Sequence, residues 1–228
     1  YDLRMGIDIH KLMAAVGKGK TVPTGPLTWE HYKELIADVT KAERQNAKLV
    51  VFGIMYGRGA PSVAAQLGIS IAQAQAIINA FFARYAAAKR WLDQTVASTR
   101  QIGYTTNFFG RRRRLLDINS KDSFLRSEAE RQSYNAPIQG GASDLVLHTM
   151  VRIFRKFWKE GLKTRLILTV YDSLVFNIPD KELEYVTKTV NYEMSHPPSY
   201  ETLNPAFKKI TVPIISEMKI GTHWGSLV

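Results

Sequence analysis

A chain of 228 residues with 45% hydrophobic content can bury one large core or two small ones. It contains no cysteine, which excludes a disulfide scaffold and thiolate metal sites, and no run of eighteen apolar residues, which excludes a transmembrane helix. The formal charge is +11, from 31 Lys and Arg against 20 Asp and Glu, and points to a polyanionic partner: nucleic acid first, an anionic membrane second.

The first residues, YDLRMGIDIHK, are polar and charged, unlike a secretory leader. They read as the interior of something longer, so the expectation is a fragment, a processed product or one piece of a split protein. His10 falls where a helix could start. Residues 28–49 are predicted as one helix opened by Thr28. The next stretch, KLVVFGIMYGRG, is ambiguous: Val50, Val51 and Phe52 favour a strand, whereas Arg44 and Lys48 continue a helical spacing. A short helix is predicted from Ser62 to a stop at Gly68. Ser70 then caps a long Ala-rich helix that bends before Gly103. YTTNFFGRRRRLLDI reads as a strand, a turn at Gly110 and a second strand. The segment from Asp122 to Gly161 is predicted helical on both sides of Pro137, which should interrupt or kink it.

RLILTVYDSLVFNIPD then predicts a hairpin with Asp172 at its turn. Val170, Leu174, Val175, Phe176 and Ile178 supply β-propensity, and Pro179 and Asp180 supply the stop. Asp172 stands between Tyr171 and Ser173, with no second carboxylate beside it; by itself it reads as a turn aspartate bonding its own backbone. A helix around DKELEYVTKTVNYEMS and one or two final strands in ITVPIISEMKIGTHWG complete an α+β order.

Three patterns carry candidate chemistry. Arg44, Lys48, Phe52 and Tyr56 recur every four residues, which on a helix gives a slowly winding stripe of two cations and two aromatics. Cations one turn apart can clamp a polyphosphate, and the aromatics can stack on a base or wall in a sugar. The same spacing also fits an amphipathic helix with solvated cations and core aromatics. Arg131, Asn135 and Gln139, again four apart, can donate to minor-groove acceptors, or can line an exposed polar face. Arg111 to Arg114 follow a turn and suit phosphate contacts, or form a solvated basic loop.

Taken in order, DIH at 8–10, R-x-x-x-K-x-x-x-F-x-x-x-Y-G at 44–57, FGRRR at 109–113, RQSYNAPIQG at 131–140, the Asp172 hairpin and KIGTHWG at 219–225 resemble the C-terminal part of a family A DNA polymerase, the bacterial polymerase I type. The resemblance runs from about residue 7 to residue 225. It implies a right-hand polymerase architecture, incomplete here: mainly helical fingers over 1–125, and the C-terminal part of a palm with an antiparallel sheet over 126–228. It makes 44–57 the helix that binds the incoming deoxynucleoside triphosphate. Arg44, Lys48 and His10 would contact its phosphates, with Lys48 stabilising the leaving pyrophosphate, Phe52 near the sugar and Tyr56 near the template base. Arg111, Arg112, Arg113, Arg131, Asn135, Gln139 and Tyr171 would lie along primer–template DNA. Asp172 would be a ligand of a two-Mg²⁺ site. No membrane is implied, and the setting would be the cytoplasm of a bacterium or of a phage-infected host, with an organelle as the alternative.

Two departures stand out. The family's palm hairpin usually reads His-Asp-Glu, and here it reads Tyr171-Asp172-Ser173; single-subunit RNA polymerases are similar in having Ser at the third position. The family's other indispensable Asp lies upstream of DIH and is not in these residues. The expectation is that a second polypeptide, or an upstream segment, supplies that Asp, the thumb and the rest of the palm. The alternative is a non-catalytic nucleic-acid-binding module that retains the fold, which the intact Arg44, Lys48, Phe52, Tyr56 and Asp172 disfavour.

Overall fold

In the computed structural model, which describes residues 2–196 and 214–227, the chain is mostly helical with two small antiparallel sheets. It divides into two compact units: Tyr1–Thr105 with Arg114–Asn135, and Thr106–Arg113 with Ala136–Val228. No single described helix is long and apolar enough to cross a membrane.

The first unit is built on α1 (Ile9–Gly17), α2 (Trp29–Ile36), α3 (Lys41–Met55), α4 (Ala60–Leu67), α5 (Ile71–Arg84) and α6 (Ala86–Ile102). The single helix expected over 28–49 is two. Thr28 caps α2 as expected, but a second start follows at Thr40. The Thr40 hydroxyl accepts from Glu43 N at 3.2 Å while Glu43 Oε2 accepts from Thr40 N at 2.8 Å, satisfying two of the orphan donors at a new helix start. The ambiguous 48–56 stretch is helix. Ala47, Val50, Val51 and Ile54 recur at i, i+3, i+4 and i+7 and are buried against Met13, Ala14, Val63 and Ile77, so a helical stripe in a core overrides local β-propensity. A second cluster joins Ile7, Leu12 and Leu27 to Tyr32 and Leu35.

Gly68 ends α4, Ser70 caps α5 with Gln73 in a reciprocal box, and Gly103 ends α6, all as expected. The bend in the Ala-rich segment falls at Tyr85, at a buried polar knot. Arg84 Nη2 and Nε donate to the two Asp2 carboxylate oxygens, each at 2.8 Å, and Tyr85 Oη donates to Asp2 Oδ2 at 2.8 Å. A buried acid needs such a full set of donors.

β1 (Tyr104–Thr106) and β2 (Arg112–Arg114) pair antiparallel about Gly110, and α7 (Ser123–Lys159) follows. Pro137 does not end the helix but lies inside one of 37 residues. It removes one N–H from the ladder, and burial of Ala129 and Tyr134 before it and Val146, Ile153 and Phe157 after it holds the helix through the gap. In the second unit β3 (Arg165–Val170) pairs with β4 (Ser173–Asn177), with a bulge at Ile167, and α8 (Leu183–Ser195) covers one side. Ile153, Phe157 and Val186 form its core with Leu174 and Phe176. Residues 214–221 form no strand, so the final strands expected there are absent from them. Residues 210–213 of that expectation lie outside the described residues.

Candidate functional site

The stripe on α3 faces away from its core. With Ala47, Val50, Val51 and Ile54 inside, Arg44 and Lys48 are half-buried, while Phe52 and Tyr56 remain 43% and 36% exposed. The aromatics are therefore not core residues. Phe52 stacks on Tyr56 with ring centroids 6.3 Å apart, and Lys48 Nζ lies 5.7 Å from the Phe52 centroid. From α1, His10 adds its ring 5.6 Å from that of Phe52. Five predicted residues thus form one open surface with cations at one end and aromatic faces at the other.

Asp8, which the sequence reading left without a role, ties this surface together. Its Oδ1 caps α1, accepting from His10 N at 2.9 Å and Lys11 N at 3.2 Å. Its Oδ2 accepts from Arg44 Nε at 2.6 Å. Its own N–H donates to the hydroxyl of buried Tyr32 at 3.2 Å. Burial pushes the Asp8 carboxyl upward, but the Arg44 hydrogen bond and charge and the two α1 N–H groups outweigh it, and the net pKa is below the usual value. His10 moves the other way. Burial lowers its pKa, Asp8 raises it, and Arg44 and Lys48 lower it again, leaving it below the usual imidazole value. Its Nδ1 is buried with no partner among the described residues.

Tyr56 closes α3, and the next residue shows why glycine follows it. Gly57 sits at φ +82°, and a Cβ there would lie 2.0 Å from Tyr134 Oη and 2.8 Å from Arg131 Cγ. So α7 lays Arg131 and Tyr134 directly on the end of α3. Arg131 Nη1 donates to Ser127 Oγ at 2.8 Å, and burial pushes the Tyr134 hydroxyl pKa up. One turn on, Asn135 keeps a buried Oδ1 with no partner among the described residues. The spacing around 131 was legible in sequence; the Tyr134 contact, 77 residues from Gly57, was not.

In the second unit, Arg111 is exposed but paired. Its Nε and Nη2 grip the buried Asp144 at 2.7–3.0 Å, and Asn107 Nδ2 donates to the same carboxylate at 2.7 Å. The pairing holds the Arg111 guanidinium above its usual pKa and Asp144 below the carboxylate range, through the Arg111 hydrogen bond. The hairpin tip is fixed on α7 as a result: Phe109 stacks on His148 at 5.0 Å, and Phe108 occupies the space a Cβ on Gly141 would need. Arg112 and Arg113 are exposed on β2, and Gln139 is exposed on α7.

Asp172 and Tyr171 are the two loop residues of the β3–β4 hairpin, flanked by the Val170–Ser173 pair. Tyr171 is at φ 54°, a left-handed conformation unusual for a non-glycine residue, and is 94% exposed. The Asp172 carboxylate is exposed too and accepts from Ser173 Oγ at 3.4 Å. Among the described residues no cluster of three His, Asp or Glu side chains could hold a metal ion. Asp172 fits one ligand of such a site, not the whole of it.

The sequence profile of DNA polymerase family A matches residues 4–226. The chain belongs to that family. DNA polymerase I of Chloroflexus aurantiacus is 35% identical over 189 residues, covering 83% of this chain and 19% of that protein. DNA polymerase I of Pseudomonas aeruginosa is 32% identical over 97% of this chain and 22% of its own length, and the DNA polymerase of Bacillus phage SP01 is 32% identical over 97% and 23%. This chain thus spans about a fifth of the length of these curated relatives. Among solved structures, the POL domain of Pol1 from M. smegmatis, in complex with DNA primer-template and dNTP, superimposes with a TM-score of 0.75 at 29% identity, covering 93% of this chain and 33% of that one. The α+β expectation holds: the described residues are mostly helix, with small antiparallel sheets.

Proposed function

We propose that this chain is the fingers and the C-terminal part of the palm of a template-directed DNA polymerase, with residues 1–125 mainly fingers and 126–228 palm. The observation that carries the reading is the Arg44–Lys48–Phe52–Tyr56 stripe, half-buried at its cations and exposed at its aromatics, with His10 beside it, on a helix whose other face is core. Arg44, Lys48 and His10 take the triphosphate, Phe52 the sugar side and Tyr56 the insertion site. Arg111, Arg112, Arg113, Arg131, Asn135, Gln139 and Tyr171 line primer–template DNA, with Arg111 held in place by Asp144. The substrates match what the M. smegmatis structure is described as binding, primer-template and dNTP. Bacterial and phage relatives suit a cytoplasmic setting.

The family's chemistry uses two Mg²⁺, which when bound lower the barrier to attack of a primer 3′-hydroxyl on the α-phosphate. Asp172 would supply one ligand, and the other Asp, the thumb and the remaining palm come from an upstream segment or a second polypeptide. The second unit supports this need. Ile167, Leu168 and Val170 of β3 are exposed, at 62%, 47% and 37%, and an open groove of about 410 Å³ lies between Phe154, Phe157, Trp158, Leu162, Leu166 and Phe176. An apolar sheet face of this kind is normally covered.

The test is single-turnover extension by the assembled enzyme. Lys48→Ala should cut the rate by about 10²–10³-fold, because it removes a charge aimed at the transition state. Arg131→Ala should chiefly weaken primer–template binding. A near-normal rate for Lys48→Ala would overturn the assignment.

A further inference from the structure

Asp8 places an anion inside a surface that, on the reading above, must attract a polyanion. Its position explains why it is tolerated. The carboxylate is held at both oxygens, by two backbone N–H groups of α1 at 2.9 and 3.2 Å on Oδ1 and by Arg44 Nε at 2.6 Å on Oδ2, while the backbone N–H of Asp8 donates to Tyr32 Oη at 3.2 Å. Tyr32 belongs to the buried cluster under α1 and α2. The chain of contacts therefore runs from a core tyrosine to the guanidinium of α3. Binding through Nε leaves the two Nη groups of Arg44, which have no partner among the described residues, as the outward fork. The same carboxylate caps the turn that carries His10, so one group sets the position of two phosphate-facing side chains on two different helices.

We infer that Asp8 is a positioning residue for nucleotide incorporation, holding the Arg44 fork and the His10 turn in their working geometry at the expense of one local charge. This rests on the polymerase reading. The consequence has a definite sign. Loss of the Asp8 charge leaves Arg44 uncompensated, which favours ground-state attraction of a triphosphate, but frees the guanidinium from its orientation. Affinity for the nucleotide is thus kept or gained while the chemical step slows.

Asp8→Asn isolates this role, because Asn caps helices as well as Asp does and leaves α1 intact. In single-turnover extension by the assembled enzyme, Asp8→Asn should lower the maximal rate about tenfold with the dNTP dissociation constant unchanged or lower. In an Arg44→Ala background the same substitution should have no further effect, since residues acting through one contact are non-additive. Arg44→Lys, which keeps the charge and loses the Nε tether, should reproduce the slow rate with retained affinity. A purely structural cap predicts wild-type kinetics for Asp8→Asn, and that result overturns the inference. So does an additive effect in the double variant, or weakened nucleotide binding at an unchanged rate. If instead Arg44→Ala leaves nucleotide binding and rate intact, the nucleotide-clamp reading itself fails.

Discussion

The two candidate centres are supported very differently. The α3 stripe is a finished surface. Its helix is capped by a reciprocal Thr40–Glu43 box, its inner face is buried in the largest core, its cation is tethered by Asp8, and its end is pinned by Gly57 against Tyr134. The Asp172 hairpin is a two-stranded ribbon with an exposed face, a strained Tyr171 at its tip and a carboxylate whose nearest described donor is the next residue's hydroxyl. Isolated two-stranded ribbons are marginal in water. The lesson is that one unit can fix a pattern of cations and aromatics with its own caps and core, whereas the hairpin carboxylate has no cluster of acidic or imidazole groups around it among the described residues.

The sharpest way to break the comparison is at Asp172. If it is a metal ligand, Asp172→Asn in the assembled enzyme should reduce extension by about 10³-fold or more, with nucleotide binding to the α3 stripe unaffected. Retained activity would remove the second centre from the account. On the other side, Gly57→Ala should destabilise the first unit by about 3 kcal/mol, summing a left-handed backbone and a clash with Tyr134. Thermal or urea unfolding would read this, and a change under about 1 kcal/mol would mean the α3–α7 contact is loose. A smaller effect is expected from the groove. Trp158→Gln, at a side chain 78% exposed, should leave stability within about 0.5 kcal/mol but lower hydrophobic-dye binding and aggregation of the chain alone. Unaltered aggregation would place the sticky surface elsewhere. Least of all, Ser173→Ala should change extension by no more than about threefold, because its hydroxyl is 3.4 Å from Asp172 and makes a weak bond. A loss equal to that of Asp172→Asn would give Ser173 a metal or primer role.

Much of this was legible in the sequence where the physics is local. Thr28, Ser70, Gly68, Gly103 and Gly110 marked the ends they mark in the structure, because caps and turns depend on one or two residues. The Thr40–Glu43 box is equally local, a second start signal inside the stretch whose composition suggests one long helix. The ambiguity at 50–52 was settled by burial, which propensity does not carry. Pro137 does not stop α7, since packing along the helix outlasts one missing hydrogen bond. The rest is tertiary. Nothing local marks Asp144 as the partner of Arg111, Tyr134 as the reason for Gly57, or Asp8 as the tether of Arg44, at separations of 33, 77 and 36 residues. A basic run is visible as charge, but which of its members is already paired is a fact of the fold.

The central claim is that this chain carries a complete nucleotide grip and an incomplete metal centre. Primer extension tests it most directly: the rigorously purified chain with primer–template, Mg²⁺ and the four deoxynucleoside triphosphates, first alone and then with a polypeptide supplying the upstream palm Asp and the thumb. The account predicts no extension by the chain alone, weak and salt-sensitive binding of the primer–template, and extension restored by the added polypeptide in a 1:1 complex. Robust extension by the chain alone would place the second metal ligand within these residues and contradict the account.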